Sequence, residues 1–155
     1  MDLSDLLGKD AVIAGLKAKS KKQAIQELAV KAAELTGLSG REIFDTLLQR
    51  ERLGSTGVGH GIAIPHGKLT RLDNLVGLFA KLDKPIDFDA LDDDPVDLVF
   101  LLLAPEGAGA DHLKALARIA RQLRDSTVTQ GLRAASQPEE IYALLTQPIA
   151  SSNAA

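Results

Sequence analysis

The chain has 155 residues, of which 45% are apolar, and 21 acidic against 18 basic side chains give a formal net charge of −3. That is length enough for one domain with its own core, and the mildly acidic balance gives no reason to seek a nucleic-acid backbone. There is no cysteine, which excludes disulfides, thiolate catalysis and thiolate zinc sites, and the 3% aromatic content leaves no platform for stacking bases.

The acidic start Met1–Asp5 lacks the basic-then-apolar layout of a signal peptide. After a short turn over Leu3–Leu7, Ala11-Val12-Ile13 with Leu16 reads as a first strand. Ser20 opens a helix with Gln23 as its capping-box partner. Ile25, Leu28, Ala29, Ala32 and Leu35 recur along it at helical spacing, and Gly37 ends it. Ser39 with Glu42 starts the next helix, whose apolar face is Ile43, Leu47 and Leu48 and which closes in Arg50-Glu51-Arg52. A glycine-rich loop, Gly54 to Gly61, follows, then a short strand Ile62–Ile64 that stops at Pro65.

Leu75–Leu82 is a further strand, Asp92-Asp93-Asp94-Pro95 a turn, and Val96–Leu103 a nearly unbroken apolar strand suited to the centre of a sheet. The run Leu98–Pro105 is far short of the roughly 20 residues that cross a bilayer, so a cytoplasmic protein is expected. Asp111 is placed to cap a helix with Leu113, Leu116, Ala117, Ala120 and Leu123 inward. Asp125 or Ser126 caps a short helix to Arg133, and Ser136 with Glu139 opens a last one carrying Ile141, Leu144 and Leu145. The small, polar tail 148–155 is expected to be disordered. Alternating elements without repeat or linker predict one α/β domain: a mixed sheet with helices on both faces.

Few side chains offer chemistry. His66 stands between Pro65 and Gly67, one residue with a fixed φ and no donor, the other open to close approach. An imidazole at such a corner is a nucleophile available near neutral pH. The glycine loop fits no dinucleotide or P-loop pattern, because a strand rather than a helix follows it; it is either a pliable wall beside His66 or a long turn. The spacing of His60, His66 and His112 matches no common zinc pattern, and no metal is expected. His112, at a predicted helix start, either meets an anion there or is simply exposed. Arg50 and Arg52 suit a helix C-terminus in any case, and near His66 either would give a phosphate bidentate donors. Lys68 shares the face of His66 on an extended chain. The Asp92–Asp94 run reads as solvated turn residues.

Arg50-Glu51-Arg52, Gly54-Ser55-Thr56-Gly57-Val58-Gly59 and Gly61-Ile62-Ala63-Ile64-Pro65-His66-Gly67-Lys68 resemble the type-2 IIA domain of the bacterial phosphoenolpyruvate phosphotransferase system, most of all its nitrogen-regulatory members. Pro95–Leu102 and Ala110–Lys114 carry the resemblance on, and it covers nearly all of 1–147. It implies a mannitol- or fructose-IIA-like fold and a phosphotransferase with a phosphohistidine intermediate. His66 would take the phosphoryl group on Nε2 from an HPr-type carrier or its nitrogen-branch paralogue. His112 would be the second active-site histidine and Arg50 the neutralising arginine. No cofactor is implied, and His60 has no counterpart role. The output would be regulation of partners such as sensor kinases or ion transporters.

Two other readings stay open. One is a sugar-specific IIA component relaying phosphate to a IIB domain, although no IIB or IIC segment stands in the sequence. The other is a binding regulator without catalysis.

Overall fold

The computed structural model describes residues 2–148. Two 3-10 turns, Leu3–Asp5 and Lys9–Ala11, lead into β1 (Val12–Leu16), α1 (Lys21–Thr36) and α2 (Gly40–Leu53). Three short strands follow: β2 (Gly57–Gly59), β3 (Ile62–Ala63) and β4 (His66–Leu69). The chain continues through β5 (Val76–Ile86), β6 (Val96–Pro105), α3 (Ala110–Arg124), α4 (Ser126–Ala134) and α5 (Pro138–Thr146). The expected disordered tail lies, from 149 on, outside the described residues.

Strand β6 organises the rest. Every residue of it except Asp97 and Pro105 is buried, which requires cover on both faces of the sheet. The strand order is β1-β5-β6-β3-β2, with β4 also pairing with β6. β5 runs antiparallel to β6, whereas β3 and β4 run parallel to it, so the expected mixed sheet is present. The cross-strand partners Phe79 and Phe100 meet edge to face at 6.2 Å, and both are fully buried. Such pairs contribute roughly 0.5–1.5 kcal/mol beyond their burial.

Local signals account for most helix ends. Ser20 Oγ accepts the Gln23 N–H at 3.1 Å, and Ser39 Oγ accepts the Glu42 N–H at 3.3 Å. Gln23 Oε1 takes the Lys19 N–H rather than that of Ser20. Asp125 Oδ1 caps α4 through the N–H groups of Thr127 and Val128. Two expected caps are absent. Helix α3 starts after Gly109, which puts Asp111 inside its first turn, and α5 starts at Pro138 after Gln137 with no side-chain cap. Proline suits a first helical turn because its missing donor would be unpaired there anyway.

The inner face of α3 also differs from expectation. His112, Ala115, Ile119, Gln122 and Leu123 are buried, while Leu113 is 69% exposed. The helix is rotated by about one residue, and that rotation carries His112 inward.

The glycine loop is not wholly loop. It contains β2, which pairs antiparallel with β3 around the two-residue turn His60-Gly61. Both turn residues have positive φ, 57° and 80°, as mirror-image hairpin turns require. The backbone of His60 is held on both sides: its N–H donates to Asp92 Oδ2 at 2.9 Å, and its carbonyl accepts from Arg133 Nη2 at 2.7 Å. Arg133 also grips Asp97 with Nε and Nη2 at 2.9 and 3.0 Å. One guanidinium thus joins α4, β6 and the hairpin.

A Cβ on Gly61 would stand 2.6 Å from Arg133 Nη2 and 2.8 Å from Asp97 Oδ1. Gly61→Ala is expected to cost about 1–3 kcal/mol through left-handed strain and loss of this clamp. Urea denaturation measures it, and an unchanged midpoint would refute the clamp.

Candidate functional site

The site begins with a strand that stops and restarts. β3 pairs with β6 as Ile62↔Leu98 and Ala63↔Val99, and β4 resumes as His66↔Leu102 with the same offset. Ile64 and Pro65 between them belong to neither strand. Proline has no N–H to give the ladder, although its carbonyl still accepts from Leu102 N–H at 2.9 Å.

The Ile64 carbonyl is engaged instead by His66 Nδ1 at 2.8 Å. A carbonyl only accepts, so in the neutral ring Nδ1 carries the hydrogen and Nε2 keeps its lone pair. His66 is half-buried, which exposes part of the ring to the cleft described next.

Two helices bring the remaining groups. Gly67 allows α2 to approach β4 closely: a Cβ there would stand 2.8 Å from Thr46 Cγ2. That approach delivers the C-terminal turn of α2, with Arg50 and Arg52, beside His66. From α3, the inward His112 meets the His66 ring edge to face, with centroids 5.6 Å apart. His66, His112, Arg50, Arg52 and Lys68 line one open cleft of about 570 Å³ together with Leu53. The expected trio is therefore brought together, and Lys68 shares the face of His66 as its spacing predicts. His60 lines a different cleft.

The electrostatics favour a neutral imidazole in a cleft suited to an anion. Burial lowers the affinity of His66 for a proton most; the Ile64 bond opposes this, Arg50 reinforces it, and Glu51 opposes it again. The net displacement is below the ordinary 6.5, which favours the neutral ring near pH 7. His112 is displaced in the same direction, by burial first and then by His66 and Lys68. It is only 7% exposed, and its Nε2 is buried without a partner among the described residues. Among the described residues no carboxylate lines the cleft. Three cations, a neutral imidazole nitrogen and an unsatisfied second imidazole can together receive a tetrahedral oxyanion at Nε2.

Three contributors were not evident beforehand. Leu53, 85% exposed at the end of α2, lines the cleft although no periodicity singles it out, and Leu113, expected on the inner face of α3, is instead 69% exposed next in sequence to His112. Glu51 reads in the sequence as one charge in a charged run, yet it is buried.

Residues 5–147 match the family model described as "Phosphoenolpyruvate-dependent sugar phosphotransferase system, EIIA 2". A nitrogen regulatory protein of Bradyrhizobium diazoefficiens is 60% identical over 152 residues, covering 98% of this chain and 99% of that one. The crystal structure of nitrogen regulatory protein IIA-Ntr from Neisseria meningitidis superposes with a TM-score of 0.88 at 35% identity, over 93% of this chain and 99% of that one. The IIA mannitol structure from Escherichia coli gives 0.75 at 26% identity, over 89% and 97%.

The His66 imidazole, followed by NMR through its carbon-bound protons, is expected to titrate below 6.5. Arg50→Ala should move the midpoint upward, because the guanidinium disfavours the imidazolium. A midpoint that stays put in the variant would separate Arg50 from His66.

Proposed function

Because the chain belongs to the EIIA 2 family of the phosphoenolpyruvate-dependent sugar phosphotransferase system, we propose that it is a nitrogen-branch phosphoryl acceptor, phosphorylated on Nε2 of His66 by a histidine-phosphorylated carrier of the HPr type. The supporting observation is the bond from His66 Nδ1 to the Ile64 carbonyl, which leaves Nε2 as the nucleophilic nitrogen of a neutral ring.

The carrier's P–N bond breaks as the Nε2–P bond forms, and the carrier imidazole departs with the electron pair. Neither imidazole exchanges a proton with the other in this step. Such loose transition states are served by in-line positioning and by charge on the equatorial oxygens. Arg50 supplies that charge, and His112 Nε2, if it carries the hydrogen, donates to a phosphoryl oxygen. The carrier would dock around the cleft, on Leu53, which lines it beside Arg50, Arg52 and Lys68, and on the exposed Leu113, next in sequence to His112.

The phosphorylated and free forms present different charge on this face, and partner proteins such as sensor kinases or ion transporters would read that difference in the cytoplasm. Among the described residues no helix is long and apolar enough to cross a membrane. The sugar-branch alternative draws on the mannitol likeness, which is weaker than that to the nitrogen regulatory proteins.

Incubation with phosphoenolpyruvate, its kinase and the carrier should place acid-labile phosphate on His66; label persisting in His66→Ala would sink the assignment. Arg50→Ala should slow single-turnover transfer about 10²-fold, as expected for a lost transition-state charge partner. Leu53→Asp and Leu113→Asp should each raise KM for the carrier about tenfold with kcat nearly unchanged. A KM equal to wild type in both would move the docking surface elsewhere.

A further inference from the structure

Glu51 takes no part in the chemistry above, yet it is held more firmly than the arginines on either side of it. Its side chain is only 2% exposed. Lys21 Nζ, from the first turn of α1, lies 2.8 Å from Oε1, and both carboxylate oxygens stand 3.2 Å from the Thr56 backbone nitrogen. Lys21 is steadied in turn by the Phe88 ring, 5.1 Å away, and by Asp89 at 3.7 Å. Dehydration largely offsets the attraction in a buried ion pair, so its effect is better sought in geometry than in stability.

That geometry leads to both reacting partners. Arg50 Nη1 donates to the Gly54 carbonyl at 2.9 Å, and Gly54 N–H donates back to the Glu51 carbonyl at 3.2 Å. Two residues on, Thr56 is pinned through its N–H by the Glu51 carboxylate. The Thr56 carbonyl accepts the Ile64 N–H at 2.9 Å, and the Ile64 carbonyl accepts His66 Nδ1–H at 2.8 Å. A chain of hydrogen bonds therefore runs Glu51–Thr56–Ile64–His66, and a branch at Gly54 holds Arg50. Linked bonds of this kind polarise one another, and disturbing one disturbs the next.

We propose that Glu51, paired with Lys21, is a positioning residue that sets Arg50 and the imidazole of His66 relative to one another through the segment Gly54–Thr56. The proposal rests on reading His66 as the phosphoryl acceptor and Arg50 as its charge partner.

Glu51→Gln places an amide nitrogen where an accepting oxygen stands and removes the charge facing Lys21. Transfer from the carrier is expected to slow about tenfold, as small misplacements of reacting groups do, with KM for the carrier unchanged because Glu51 is out of its reach. Two NMR signatures read positioning without any phosphate. Relaxation of Arg50 Nε should show increased mobility, and the His66 ring nitrogens should shift towards a mixture of tautomers. A purely structural role would lower Tm and leave both signatures alone.

Wild-type values for both signatures, or an unchanged transfer rate, overturn the proposal. If Glu51→Gln does not fold, Lys21→Met, which strips only the counter-ion, is expected to move the same three measurements in the same direction by less, and no movement overturns the proposal equally. Failure of the wild type to take label defeats the phosphoryl reading alone, and the two NMR signatures then decide the positioning.

Discussion

The structure turns on a strand interrupted without loss of register. β3 and β4 follow β6 with one common offset, so the chain across Ile64 and Pro65 is neither looped out nor bulged. What changes there is bonding. Pro65 has nothing to donate, and the Ile64 carbonyl serves the side chain of His66. The tautomer of His66 is thereby set by backbone belonging to the centre of the fold, beside a strand buried along nearly its whole length. A histidine on a mobile loop would choose its tautomer afresh with each fluctuation. This one inherits the rigidity of the sheet.

The surroundings are sorted by charge. Arg50, Arg52 and Lys68 face the cleft, while the carboxylate between the two arginines is turned into the protein against Lys21. Successive residues on a helix point about 100° apart, so one turn can present cations outward and hide an anion. Had Glu51 faced outward, it would have competed with any incoming anion for the same guanidinium groups. Burying it removes the competitor and uses it to hold the backbone.

Much of this was legible in the sequence where a signal is local. Ser20 and Ser39 cap as their hydroxyls allow, and the apolar run from Val96 is the buried central strand it resembles. The corner at Pro65 marked His66, and the family resemblance, through Arg50-Glu51-Arg52 and Ala110–Lys114, pointed to Arg50 and His112, which line the same cleft. Strands β2 and β4, of three and four residues, are too short to leave a periodic trace. The face of α3 was ambiguous because it has apolar side chains on two adjacent stripes. Leu113 and Leu116 suggested one, whereas the stripe of Ala115 and Ile119 is the buried one and carries His112 to His66. Glu51 was hidden for a different reason: a carboxylate in a charged run reads as solvated, and its partners Lys21 and Thr56 are brought to it by packing rather than by sequence spacing.

The hairpin clamped by Arg133 has a consequence beyond the site. β2 ends the strand path on one side, and it is three residues long with a glycine at each end and a break in its pairing register. At the other end β1 has its own irregularity between Ile13 and Leu16. A sheet edge that is short, twisted or irregular is a poor template for a strand from another copy of the chain. The hairpin, whose neighbour Thr56 holds Ile64 through its carbonyl, thus also leaves this end of the strand path short and irregular, with little continuous backbone for a strand of another copy to pair with.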